Sequence, residues 1–311
     1  MQFGRVATPD GVSFAIPPLT ARSARLLAGR SPERVDGPTW LRLGAPAWSR
    51  RDWLGKLYPT GSGPRDWLRL YAAQAGAIEL NASFYAIPDE PTIDTWIEAT
   101  PPAFRFCPKV PRAISHELGG APRTLDELTR TFVARMERLG ARLGPALLQL
   151  AETFTPAGLR ALEAQLARFP DGFAVAVEVR HAAWFARGAL RDDLVALLER
   201  RGAAAVITDV AGRRDACHGS LTAPIAFVRW VGEAGHASDG PRLEGWVDRL
   251  AEWRARGLAD AYLFVHQPDD LVAPEGMALA AAHARARGIA LPAITLLTPE
   301  TAAPRRQLSL F

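Results

Sequence analysis

From Trp40 onward the chain alternates short apolar runs with longer amphipathic stretches. The runs fall at 41–45 (LRLGA), 77–80 (AIEL), 104–107 (FRFC), 146–150 (ALLQL), 174–179 (AVAVEV), 204–209 (AAVITD), 225–230 (IAFVRW) and 261–266 (AYLFVH). Their length and their content of branched and aromatic residues predict eight strands. Between them, residues 124–140, 157–168, 189–201, 243–256 and 275–287 carry helical spacing, at lengths suited to parallel crossovers. Strands alternating with helices predict an α/β fold with a parallel sheet, and eight such units predict closure into a TIM-barrel-like (β/α)8 domain. The expected division is an N-terminal extension over 1–38, which mixes Pro, Gly, Ser and Arg without sustained periodicity, a barrel over 39–297, and a tail over 298–311. No G-x-G-x-x-G or G-x-x-x-x-G-K-[ST] pattern follows any run, which removes the main support for dinucleotide or P-loop binding.

Composition narrows this further. With 311 residues, 48% hydrophobic and 23% charged, the chain is ordinary for a globular protein. Its net charge of +4 is not gathered into a basic run, so charge alone does not predict a nucleic-acid stripe. Nearly all the cations are arginines, because Lys56 and Lys109 are the two lysines. Two cysteines, Cys107 and Cys217, supply neither a disulfide framework nor a metal-type pair; with no signal-peptide pattern and no spanning apolar run, they lead to the expectation of a cytoplasmic protein with no membrane association.

In a barrel of this kind the chemistry lies at the carboxyl ends of the strands. Seven of the eight runs close on polar residues: Glu79 with Asn81, Lys109, Gln149, Glu178 with Arg180, Asp209, Arg229, and His266 with Gln267, while the first ends near Trp48. Alternation puts Glu178 on one face with Ala174, Ala176 and Arg180, and puts Val175, Val177 and Val179 on the other. Phe84 and Tyr85 then form the lip of the loop after the second strand. The convergent set offers acid/base chemistry through Glu178, Asp209, Lys109 and His266, and anion contacts through Lys109, Arg180 and Arg229. Glu79 and Asn81 are expected to orient, with Glu79 facing a cation. Glu178, Asp209 and His266 also form a conceivable divalent-metal set, although no H-E-x-x-H or clustered histidines accompany them, so the cofactor is left unknown. His116, in ISHE, is expected either to anchor its loop or to shuttle protons.

The segments WSRRDWLGKLYP, IELNASFYAIP, TWIEATPPAFRFCPKVPRAISHE, GPALLQL, AVEVRHAAWF, VRW and YLFVHQPDD resemble the DUF72 family of YecE-like proteins over most of residues 40–270. The resemblance implies a TIM-barrel-like fold. It also implies a shared cleft lined by Glu79, Asn81, Phe84, Tyr85, Trp96, Pro101, Phe104, Lys109, His116, Gln149, Glu178, Arg180, His181 and Trp184. Two departures stand out: Arg229-Trp230-Val231-Gly232 where the family tends to carry R-[LW]-H-G, and His266-Gln267 where paired asparagines usually follow the eighth strand. The resemblance supplies no established reaction.

After the last helical stretch, TPETAAPRR leads to Gln307-Leu308-Ser309-Leu310-Phe311. This pentapeptide resembles the bacterial sliding-clamp-binding motif, in which Gln307, Leu308, Leu310 and Phe311 would be the docking residues. The alternative is a tail folded back on its own barrel.

Together these features lead to the expectation of an enzyme acting on a phosphorylated or nucleic-acid-derived substrate and recruited to the sliding clamp in DNA repair. A non-catalytic ligand-binding or nucleic-acid-binding adaptor is the main rival, followed by a small-metabolite or carbohydrate-acting barrel. A glycosidase needs two facing carboxyl groups, and Gln149 and Arg229 occupy the fourth and seventh strand ends where barrel glycosidases often place them.

Overall fold

The computed structural model describes residues 3–30 and 40–298. Eight parallel strands form the core: β1 Leu41–Ala45, β2 Ala77–Leu80, β3 Arg105–Pro108, β4 Ala146–Gln149, β5 Val175–Glu178, β6 Ala204–Asp209, β7 Ile225–Val231 and β8 Asp260–His266. Hydrogen-bonded neighbours run β3-β2-β1-β8-β7-β6-β5-β4. Between β3 and β4 the seam is closed by shorter pairing, with Val110 N–H donating to Leu147 O at 2.9 Å and Gly144 N–H to Phe106 O at 2.8 Å. The result is a nearly closed TIM-barrel-like fold, as the strand count predicts. The third strand starts one residue later than FRFC implied, because Phe104 packs against Phe106 and Tyr71 ahead of the ladder.

Alternation sorts the strands as expected: Val175, Val177 and Val179 join the core under the helices, whereas Ala176 faces inward. The barrel interior is filled unevenly. Ala77, Cys107, Ala176 and Ala204 from β2, β3, β5 and β6 face Phe227 on β7 and Tyr262 and Phe264 on β8, small opposite large. Phe227 and Phe264 meet at 5.1 Å between centroids and make a solid aromatic floor. Gly44 is required by that floor, since a Cβ there would run into the Ala77 carbonyl and the Phe264 ring. With the interior blocked below, polar side chains gather in the layer above.

The helices are α1 Ala21–Leu27, α2 Pro64–Ala72, α3 Ala82–Tyr85, α4 Glu90–Ala99, α5 Arg112–Ser115, α6 Pro122–Glu137, α7 Leu159–Leu166, α8 Asp192–Arg200, α9 Asp239–Ala255 and α10 Ala273–Ala286, joined by short 3-10 turns and one small antiparallel ribbon, Phe185–Ala186 with Ala189–Leu190. Local signals set their ends. Asp89 caps α4 by accepting from Thr92 N–H at 3.0 Å, and Pro91 stands in its first turn.

Residues 3–30 bind the barrel as a strap. Phe3 is buried with Val210, Ala216 and Val231, and Gly212 N–H, in the loop after β6, donates to Gly4 O at 2.8 Å. Arg180 and Arg213 both lie over the Phe3 ring, at 4.7 and 4.9 Å, and Arg214 and Arg242 both lie over Phe14, at 5.2 and 4.2 Å. Ser23, on α1, donates to the Leu221 carbonyl at 3.1 Å. At the other end, Leu297 N–H donates to Lys56 O at 2.7 Å, in the loop after β1. Among the described residues no helix is long and apolar enough to cross a membrane.

Candidate active site at the barrel mouth

Six of the eight strands send a polar side chain into the layer above the aromatic floor, and these side chains meet in one network. Its centre is Arg229 on β7. The guanidinium grips Glu79 on β2 with two bonds, Nε to Oε2 at 2.8 Å and Nη2 to Oε1 at 2.9 Å. Its remaining edge, Nη1, donates to both oxygens of Glu178 on β5, at 2.9 and 3.0 Å. Thr208 on β6 donates to Glu178 Oε1 at 2.6 Å, Gln149 on β4 donates to Oε2, and His266 Nε2 on β8 lies 3.0 Å from Glu79 Oε2. Six strands therefore meet in a network built on two carboxylates and one guanidinium, all buried.

Burying charges is costly unless each is paired and hydrogen-bonded, and here each is. Burial pushes Glu178 up, but Arg180 and Arg229, with the Thr208 and Gln149 bonds, more than offset it and hold the carboxyl down at about 2. Glu79 is likewise raised by burial yet held well below the usual carboxylate range by Arg229 and His266. Both glutamates are anions at neutral pH. The cation that brings Glu178 into the network also keeps it ionised, which favours charge stabilisation over proton donation.

Lys109 stands beside the network under different conditions. It follows β3, and its backbone is fixed by Lys109 N–H donating to Leu80 O at 3.1 Å and by Ser83 Oγ donating to Lys109 O at 2.8 Å. Nζ lies 4.2 Å above the Phe84 ring, and the residue is 8% exposed. Among the described residues the ammonium has no hydrogen bond or ion pair. Burial, reinforced by Arg229, pushes the amine down to about 8. On the far side of Phe84, His116 meets the ring edge at 5.4 Å and holds Ser115 Oγ at 3.0 Å. Burial lowers its basicity, and so do Arg112, Lys109 and Arg180. Three cations acting on one histidine define a positive mouth. Tyr85, 83% exposed, stands edge-on to Phe84 at 5.2 Å and forms the lip.

Residues 42–300 match the model of DUF72, described as a protein of unknown function. The chain belongs to the DUF72 family. It is 35% identical over 251 residues to UPF0759 protein YecE of Escherichia coli K12, a match covering 75% of this chain and 88% of that one. A crystal structure of a DUF72 family protein of Enterococcus faecalis V583 (EF0366) superposes with a TM-score of 0.63 at 19% identity, over 79% of this chain and 95% of that one. Another, from Thermotoga maritima MSB8 (TM1631), gives 0.58 at 24% identity, over 73% and 92%.

In this DUF72 barrel the remaining expected residues divide. Arg180 is in the mouth, with Nε 3.4 Å from Glu178 Oε2 and Nη1 3.7 Å from exposed Glu152. Asn81 is at the rim, where it donates to Pro46 O at 3.2 Å and braces the loop after β1. His181 accepts from Ala183 N–H at 3.2 Å and caps a short turn. Trp184 is fully buried, stacks on Phe154 and donates to its carbonyl at 2.7 Å, so it is core rather than cleft.

Asp209 is the main correction. It lies on the opposite face of β6 from Thr208, where Trp246 Nε1 donates to it at 2.7 Å, Arg242 at 3.0 Å, and Arg214 also binds it. The expected set of Glu178, Asp209 and His266 is therefore not assembled, and no group of three His, Cys, Asp or Glu among the described residues is arranged to hold a metal ion. Thr208, Arg112 and Phe3 belong to the mouth and were not singled out from the sequence. Strand parity identifies Thr208, because inward residues of β6 recur as Ala204, Val206 and Thr208. Both cysteines are buried and their thiols are pushed up, Cys217 to about 12, which makes them poor nucleophiles.

Proposed function

We propose that this DUF72 barrel is an enzyme acting on an anionic, phosphorylated or nucleic-acid-derived substrate bound at the carboxyl end of the strands. The observation that carries the reading is the buried Lys109 ammonium beside two carboxylates already held by Arg229. Glu79 and Glu178 face Arg229, Arg180 and Lys109; Arg229 binds both carboxylates and Arg180 lies between Glu178 and Glu152, which leaves the Lys109 ammonium to meet an incoming anion. The lip of Phe84 and Tyr85 supplies faces for a planar ring or a sugar. Two groups whose titrations are driven apart, a carboxylate near 2 and an amine near 8, divide the work: Glu178 stabilises positive charge, and Lys109 exchanges the proton.

Thermal shift tests the binding half. Inorganic phosphate, pyrophosphate and nucleotides are expected to raise the Tm of the full chain and to lose that effect in Lys109→Met. An equal shift in the variant, or none in the native chain, would remove the reading. The locked state of both glutamates gives the adaptor reading its support; ligand binding without turnover of any phosphorylated compound tried would favour it.

Recruitment to the sliding clamp through Gln307, Leu308, Leu310 and Phe311 is part of the same proposal, and these residues lie outside the described ones. The support is the motif itself, and the test is clamp binding by the full chain against one lacking residues 307–311. Binding that survives the truncation would move the contact off the tail, and no binding by either chain would separate the barrel from DNA replication and repair. A cytoplasmic location is proposed with it, on the two free, buried cysteines.

A further inference from the structure

We infer that Lys109 is a covalent nucleophile, and that the substrate it captures as an imine is a phosphorylated aldehyde or ketone. The inference rests on the reading of the mouth as an anion site and adds the reacting group.

Imine formation requires a lysine that is aimed at the substrate, not tied up in an ion pair, and neutral often enough to attack. Lys109 meets these conditions through its surroundings. Its backbone is pinned on both sides by Leu80 and Ser83, so Nζ is delivered to a fixed point over Phe84. The carboxylates that would normally trap an ammonium are both occupied by Arg229. Arg180 and Arg229 supply the like charge that favours the neutral amine, as burial does. By contrast, Lys56 is ion-paired with Glu275 at 2.7 Å and donates to Leu271 O at 2.9 Å.

The step balances without any further reagent. Neutral Nζ attacks the carbonyl carbon and forms the C–N bond, and the proton that the nitrogen sheds passes to the carbonyl oxygen to give a neutral carbinolamine. The hydroxyl then leaves as water with a second proton, and the nitrogen ends as a protonated imine. The sum is amine, carbonyl and one proton giving iminium and water. Ionised Glu178 and Glu79 lie close enough to favour that new positive charge, while Arg112, whose charge acts on His116 at the mouth, faces the phosphate. A phosphorylated carbonyl is found both in free sugar phosphates and in the aldehydic deoxyribose of an abasic site in DNA. The mouth chemistry serves either.

The test uses the full chain with sodium cyanoborohydride, which reduces an iminium to a stable amine. The probes are a triose phosphate, ribose 5-phosphate and an abasic oligonucleotide, with unphosphorylated glyceraldehyde as the reference. The chain contains two lysines, so peptide mass mapping reads the answer directly. The expected result is an adduct at Lys109 and not at Lys56, dependent on the phosphate group and lost in Lys109→Arg. An adduct from the sugar phosphates assigns a small-molecule source, and one from the oligonucleotide assigns DNA. Adducts spread equally over Lys56 and Lys109, or none at Lys109 while phosphate still raises the Tm, would overturn the imine and leave the anion site standing. Absence of both adduct and phosphate shift would remove both.

Discussion

Arg229 and Glu178 meet through one nitrogen: Nη1 donates to both carboxylate oxygens, at 2.9 and 3.0 Å, and leaves Nε and Nη2 to hold Glu79. A single side chain thus pairs with two buried anions from different strands of the barrel. Replacing it with Met leaves both without their main partner. Arg229→Met should cost about 3 to 5 kcal/mol in urea unfolding, the range for breaking a buried pair from one side. A loss below about 1 kcal/mol, the level of an exposed ion pair, would show that the network is solvated.

Stability should fall in acid in two separate windows. Glu178 titrates at about 2 folded against an ordinary 4.5, so its contribution is complete above 4.5 and is lost as pH falls toward 2, on the order of 3 kcal/mol. His218 is buried as the neutral ring, accepting from Ser220 N–H at 3.2 Å, and is pushed down by burial to about 4. Its folded value lies below the unfolded 6.5, so its contribution is lost as pH falls from 6.5 to 4. Urea midpoints measured from pH 7 to 3 should therefore show an upper leg that disappears in His218→Leu and a lower one that persists.

Reductive methylation with labelled formaldehyde should give two resolvable lysine side-chain signals, one of them titrating near 8. Phe84→Leu removes a ring face that favours the cation and should lower that midpoint by roughly half a unit. Arg180→Met removes a neighbouring charge and should raise it. Movement of either variant in the opposite direction would contradict the geometry described for Lys109.

Phe3→Ala should destabilise by about 3 to 5 kcal/mol if the strap is integral to the fold, since it empties an apolar site against Val210 and Val231. Thermal and urea unfolding both read this. A change within about 0.5 kcal/mol, as for a surface residue, would mean that the strap is dispensable.

The barrel was legible because period-two alternation and helical spacing survive in a single sequence. The inward set from β5, Ala176 and Glu178, follows from counting alone. Asp209 was misplaced for a simple reason: a strand's last polar residue need not face inward, and a shift of one residue exchanges Asp209 for Thr208. The state of Glu178 was not legible either, because a carboxylate's role depends on a partner 51 residues away in the chain. Phe3 and Phe14 carry no periodic signal at all. Their partners are arginines scattered over loops and, in Arg242, on α9, and in a chain this rich in arginine nothing local marks which ones will stack.

The strap also ties chain made ahead of the barrel to chain made late in it. The Ser23–Leu221 hydrogen bond spans 198 residues, and Phe3 and Phe14 dock on residues around 210–242. During translation the segment made first must therefore leave two phenylalanines uncovered until β6, β7 and α9 have followed. Such high contact order predicts slow final docking, with the exposed aromatics a natural point of engagement for a chaperone.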